Sequence, residues 1–329
     1  METVRLARMA MASRFELILR GEDPVRLRAA GEEALDEIQR LDRQLSSYNP
    51  ASDISRLNQQ AATGPVRVEA RLFRLLQRAQ GLYQDTDGAF DITVGPLMRC
   101  WGFVNNTGHL PTAKALADAR AVTGMPLVTL DEDRYSVSFK RPGVLLDLGG
   151  IGKGYAIDEA VTLLKEAGVA HAFVHGGTST IHAFGVDEND EPWKVALPYP
   201  DAPPGEPDPA DLLGVVPLRD TALSVSAVWG KSFEADGKVF GHVLDPRLGR
   251  PVDGAVLTAV THPSATDADA LSTALLVLGQ ESRILLPTSS TLVQALALFS
   301  PDEHGRFPVL QKAFPFIPSA KLRPYEADP

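Results

Sequence analysis

The chain is short of cysteine, with one, Cys100, in 329 residues. A lone thiol excludes an internal disulfide and any thiolate zinc cluster. Set between Arg99 and Trp101 after an apolar stretch, it reads as a small buried hydrophobe. Positive charge is also scarce. Lys and Arg number 32 against 42 Asp and Glu, a formal net charge of −10. That balance argues against general nucleic-acid binding, because a polyanion is repelled. A phosphate-bearing ligand would need its own local cation or a metal. No stretch approaches the roughly 18 apolar residues of a membrane span. The N-terminal METVRLARMAMASRF is interrupted by Arg5 and Arg8 and lacks a signal-peptide core. A cytoplasmic location is therefore the expectation, although a chain trimmed of its leader would read the same. Internal repeats and low-complexity segments are absent as well.

What remains is the composition of a soluble globular protein, 44% hydrophobic and 22% charged. One domain over 1–329 is expected, with a surface excursion at about 199–211 where five prolines gather. Apolar periodicity predicts helices over 23–45, 69–83, 111–124, 155–167 and 265–278. Strands are predicted at 15–19, 170–174, 193–197, 215–218, 223–226, 239–244, 256–260 and 292–299, with a hairpin over 128–139. Residues 87–103 read as a Gly- and Asp-rich loop. Helices grouped early and strands late favour an α+β fold, with mixed or antiparallel sheets packed against helices.

The segment 145–158, LLDLGGIGKGYAID, draws the most attention. An apolar run reads as a strand, then Gly149, Gly150, Gly152 and Gly154 surround Lys153 before a helix begins. Bare backbone N–H groups, a positive helix end and a lysine can meet an anion there. The spacing is neither GxxxxGK[ST] nor GxGxxG, so a tight turn without ligand stays open. In the late helix Asp269 and Thr273 are four apart and share a face. A carboxylate plus a hydroxyl suits Mg²⁺, whereas Asp267 reads equally well as part of a helix cap. In the segment 241–249 His242 could bind phosphate or move a proton, and Asp245-Pro246 with Gly249 is also an ordinary turn. The other six histidines lack metal-ligand spacing. Tyr48, Trp101 and Phe103 could line a flat ligand, or simply belong to the core.

Together SSYNPASDISRLN (46–58), DGAFDITVGPLMRCWGF (87–103), LDLGGIGKGYAID (146–158), HVLDPRLGRPV (242–252) and SATDADALSTALLVLG (264–279) resemble the FAD:protein FMN transferase family, the ApbE-like flavin transferases. The resemblance implies a T-fold-like α+β architecture. It implies Mg²⁺-dependent cleavage of FAD, transfer of FMN to a Thr or Ser of an acceptor flavoprotein subunit or domain, and release of AMP. Two alternatives stand beside it: an FAD pyrophosphatase giving FMN and AMP, or an FAD-binding protein without turnover. By position, Asp269, Thr273 and the Gly152 carbonyl match the family's metal ligands. Met11, Tyr48, Asp91, Asp147, Gly149, Gly150, Lys153 and His242 match its cofactor-binding positions. His242, Lys153 and Asp245 are the residues expected to act in the chemistry. There are departures from the family pattern: Val228-Trp229 replaces Thr-Ser before Gly230, Thr178 stands where an acid is usual, Gly152 replaces alanine and Ala12 replaces glycine. The Val-Trp change removes hydroxyl donors and adds bulk, which bears on acceptor choice and flavin position.

Overall fold

Alternation along the first residues builds a hairpin that begins the main sheet. Val4, Leu6 and Ala10 of the strand Glu2–Ala10 point inward, and Phe15, Leu17 and Leu19 do so from Ser13–Gly21. The computed structural model describes residues 1–104, 107–200, 202, 211–281, 294–301 and 307–318. Within them an eight-stranded sheet runs, in spatial order, Glu2–Ala10, Ser13–Gly21, His171–Gly176, Thr180–Phe184, Thr221–Ala227, Ala255–His262, Gln294–Phe299 and Val309–Lys312. Every neighbouring pair is antiparallel.

Among the described residues seven α-helices accompany it: α1 (Pro24–Leu45), α2 (Asp53–Gln60), α3 (Ala70–Asp85), α4 (Gly95–Cys100), α5 (Ala113–Ala121), α6 (Gly152–Glu166) and α7 (Ala265–Leu278). Asp23 caps α1, accepting from the Val25 and Arg26 N–H groups, and Pro24 opens it. Its predicted stripe of Leu27, Ala34, Ile38, Leu41 and Leu45 is buried. So is the α3 stripe of Leu72, Leu75, Leu76, Ala79 and Leu82. One face of the sheet joins α1, α6 and α7 in the main core through residues such as Leu17, Val174 and Val260. The other face, with Leu223, Leu257 and Leu298, packs on Leu197, Leu213 and Val216. Those three belong to a small sheet of Ile317–Pro318, Leu212–Leu218 and Trp193–Pro198. The α+β architecture expected from the sequence, antiparallel sheets packed with helices, is the one observed.

Several local expectations change, and the strand predicted over 239–244 divides into Lys238–Gly241 and Leu244–Asp245, which belong to separate two-stranded sheets. Residues 144–148 form no strand. The Asn58 amide replaces a neighbour, donating to the Leu146 carbonyl (3.0 Å) and accepting from its N–H (2.7 Å). The loop 87–103 contains α4, opened by Pro96 at its second position. The strand Glu2–Ala10 precedes the first one predicted, and Thr180–Phe184 was not anticipated either. Of the proline-rich excursion, residues 201 and 203–210 lie outside the described residues, as do 292–293 of the last predicted strand. Among the described residues no helix is long and apolar enough to cross a membrane.

Candidate functional site

The glycine run is shaped by Asp147, the acid that precedes it. The Asp147 N–H donates to the Ile92 carbonyl (2.7 Å), and its side chain accepts from the Gly149 N–H (2.8 Å), which shapes the turn into α6. Burial pushes the Asp147 carboxyl up, while the Gly149 N–H and the Lys231 charge pull it down. Tyr48, 59% exposed, stands close enough to Asp147 to feel its charge. Burial and that charge both raise its phenol.

The late helix meets this run directly. Ser264 caps α7, accepting from the Asp267 N–H (3.2 Å). Asp269, 4% exposed, accepts from the Gly154 N–H (3.0 Å), the Thr180 hydroxyl (3.3 Å) and the Ser224 hydroxyl (3.4 Å). The Thr273 hydroxyl donates to the Asp269 carbonyl (3.1 Å) and lies 3.3 Å from Ser226 Oγ. A Cβ on Gly154 would fall 2.2 Å from the Ala265 carbonyl oxygen, so only glycine allows α6 this close to α7. A Cβ on Gly150 would lie 3.4 Å from the Thr273 hydroxyl. The two segments that the sequence singled out separately form one place.

The side-chain groups there are all oxygen: one carboxylate and the hydroxyls of Thr180, Ser224, Ser226, Ser272 and Thr273. Among the described residues no Lys, Arg or His lies within salt-bridge distance of Asp269. No cluster of three His, Cys, Asp or Glu there could cage a metal by itself. Such a set fits a hard divalent ion that draws its remaining ligands from water and a phosphate, as Mg²⁺ does. Gly152, the third predicted ligand, is the first residue of α6, two before Gly154.

His242, the residue expected to move a proton, is held by the Lys231 carbonyl. Its Nδ1 faces the Lys231 carbonyl (3.1 Å), so in the neutral ring Nδ1 holds the proton and Nε2 is free to accept one. Burial lowers its pKa, the bond to the Lys231 carbonyl opposes this, and the charges of Lys231 and Lys153 push it lower. Lys153, half-buried at the second position of α6, thus sits within electrostatic reach of the imidazole.

The other predicted residues are engaged with their own surroundings, although Phe90 and Ile92 on either side of Asp91 touch the glycine run. Asp245 is buried, but its carboxylate accepts from Arg247 Nε (3.1 Å), Nη2 (2.8 Å) and N–H (2.8 Å) and from the Leu248 N–H (3.3 Å). Its oxygens close their own turn rather than face His242. Asp91 accepts from the Thr93 N–H and hydroxyl, both at 2.7 Å, and from the Met125 N–H (3.3 Å). It lines a cleft of about 570 Å³ with Tyr83, Asp87, Arg120, Thr123 and Arg247, into which none of the glycine-run or α7 residues opens. Met11 and Ala12 form the turn between the first two strands, both at positive φ (49° and 55°), and Met11 packs against the main core. Trp101 and Phe103 are buried in a third cluster with Phe233 and Phe240, and the Trp101 indole donates to the Gly249 carbonyl (2.9 Å).

Sequence reasoning missed the hydroxyls of Thr180, Ser224, Ser226 and Ser272, as well as Lys231. Ser226 Oγ lies 2.8 Å from Ser272 Oγ, and Ser272 bonds Ser224 at 3.2 Å, so they form one chain beside Asp269. The signal available was Ser224 and Ser226 two apart on a strand, hence on one face. It stays mute until the neighbour of that face is known.

With this geometry in place, comparison with known proteins is specific. The family model described as the ApbE family matches residues 11–296. Over 247 residues the chain is 30% identical to the FAD:protein FMN transferase of Vibrio cholerae, covering 74% of this chain and 72% of that one. It is 31% identical over 292 residues to the Treponema pallidum protein of the same name, covering 84% and 79%. Among solved structures, the ApbE protein of Thermotoga maritima superposes with a TM-score of 0.82 at 27% identity, over 93% of this chain and 96% of that one. The flavin transferase ApbE from Vibrio cholerae gives 0.80 at 26% identity, over 96% and 99%.

Proposed function

Because this chain belongs to the ApbE family, we propose that it cleaves FAD and transfers FMN to a Thr or Ser hydroxyl of an acceptor flavoprotein, releasing AMP. The observation that carries the reading is the 3.0 Å bond from the Gly154 N–H to Asp269. It joins the anion-binding end of α6 to an oxygen-rich metal corner. A diphosphate laid across that junction meets the positive end of α6 and the Lys153 ammonium. Asp269, Thr273 and the Gly152 carbonyl would hold Mg²⁺, which when bound neutralises charge on the diphosphate oxygens.

The acceptor oxygen attacks the FMN phosphorus, a new P–O bond forms, and the bond to the AMP phosphate breaks. His242, neutral at physiological pH because its pKa is lowered, takes the hydroxyl proton at Nε2. Lys153 stabilises charge on the phosphate oxygens. Tyr48, exposed beside Asp147, is the aromatic side chain that would meet the flavin.

The test is to incubate the protein with FAD, Mg²⁺ and a candidate acceptor flavoprotein. The expected result is a fluorescent acceptor band that survives denaturing electrophoresis, with one AMP per flavin attached. Steady FMN and AMP release with no labelled acceptor would make it a pyrophosphatase. FAD retained stoichiometrically without AMP would make it a binding protein.

A further inference from the structure

Helices α6 and α7 hold each other's N-termini. Asp158 of α6 turns both carboxylate oxygens onto the first turn of α7. Oδ1 accepts from the Ala265 N–H (2.8 Å), and Oδ2 accepts from the Ser264 hydroxyl (2.7 Å), the Thr266 N–H (2.9 Å) and the Thr266 hydroxyl (2.6 Å). In return Asp269 of α7 accepts the Gly154 N–H from the first turn of α6. A helix leaves its first N–H groups without partners inside the helix, and here each helix supplies the other with a carboxylate. Gly154 and Asp158 are one turn apart on α6, and Ala265 and Asp269 are one turn apart on α7. Two contacts spaced by a turn on both helices set register and separation together.

We propose that Asp158 is a positioning residue for the metal and diphosphate site. It acts through α7, setting where Asp269 and Thr273 stand against Gly150 and Gly154. The inference rests on the function proposed above and deepens it. The cap is matched to a carboxylate: despite burial, which raises it, the Asp158 pKa is held below its ordinary value by His182, Thr266 and Ala265. His182 is buried, with Nδ1 3.7 Å from Asp158 Oδ1, beyond hydrogen-bond reach. Among the described residues neither of its ring nitrogens has a hydrogen-bond partner. The α7 donors therefore carry the direct hold on Asp158.

A merely stabilising residue would behave differently, and Arg78 supplies the control. From α3 it grips the same first turn of α7 through Asp267 (2.7 and 3.0 Å) without touching the α6 contact. Asp158→Asn and Arg78→Ala are compared with the parent by thermal melting, by hydrogen–deuterium exchange at residues 150–156, and by the Mg²⁺ concentration giving half-maximal AMP release. Asp158→Asn is expected to speed exchange at Gly154 and raise half-saturating Mg²⁺, each about tenfold or more. Arg78→Ala is expected to lower the melting temperature and leave both readouts unchanged. If Asp158→Asn does not fold, Thr266→Val, which removes one of the four donors, is expected to shift both in the same direction by a smaller factor. Parent-like Gly154 exchange in the Asp158 variant overturns the proposal, and so do shifts that merely track the melting temperature in both variants. A parent protein with no Mg²⁺-dependent AMP release overturns the functional reading instead, and Gly154 exchange then still decides whether Asp158 holds the two helices.

Discussion

A carboxylate removed from water needs donors or a cation. Asp269 has an amide and two hydroxyls and, among the described residues, no cationic side chain at ion-pair distance. Replacing it with alanine leaves the Gly154 N–H unpaired and removes the one carboxylate of the corner. Asp269→Ala is expected to reduce Mg²⁺-dependent AMP release by about a hundredfold or more while weak FAD binding survives. Unchanged release would remove Asp269 from the site. Two other buried acids respond to pH with opposite signs. Burial raises Asp91 to about 6, against the pull of the Thr93 and Met125 donors. Its contribution to stability is therefore complete below the ordinary carboxylate range and is lost as pH rises through about 6. Asp158 is depressed, so its contribution is present above the ordinary value and is lost as pH falls through the lowered one. Asp91→Asn should accordingly gain stability relative to the parent at pH 8 over pH 5, by on the order of 1–2 kcal/mol. Urea midpoints at the two pH values read the difference, and an equal effect at both would assign the titration elsewhere.

At the scale of elements, α1 and α3 are legible because an apolar stripe, a cap and a terminating turn all agree. The first strand is not. Arg8 occupies an inward position in its alternation, and its guanidinium is accommodated only because Glu32 (2.8 Å) and Asp36 of α1 receive it. The segment 144–148 has the apolar run of a buried strand, yet the Asn58 side chain satisfies it. Local pattern does not distinguish a backbone paired by a strand from one paired by an amide. The α6–α7 contact offers a prediction of its own. Gly154→Ala drives a methyl to within 2.2 Å of the Ala265 carbonyl, and separating the helices should cost about 1–3 kcal/mol. Calorimetry should record a lower melting temperature, and Mg²⁺ should no longer raise it in the FAD-bound protein. A parent-like Mg²⁺ response would mean that the proposed metal site tolerates a wider gap.

Across the whole molecule, one sheet serves two cores, helices on one side and the small sheet on the other. Alternate residues of the same strands feed both, as Leu17 and Ile18 do, so neither core can melt alone. A single unfolding transition is expected, with far-ultraviolet dichroism and tryptophan fluorescence from Trp193 and Trp101 giving coincident midpoints. Separated midpoints would mean two independent units. The sequence by itself determined the fold class, most helices and the family, and it marked the candidate residue types: a glycine run with a lysine, an acid and a hydroxyl one helical turn apart, and a histidine. Those follow from periodicity and residue chemistry, which are local. Only the tertiary structure decided that Gly154 meets Asp269, that hydroxyls from two strands join them, that Asp158 clasps α7, and that the carboxylates of Asp245 and Asp91 are engaged elsewhere. Such partnerships join residues as much as 115 positions apart, and packing alone selects them from the many that the same residue types would permit.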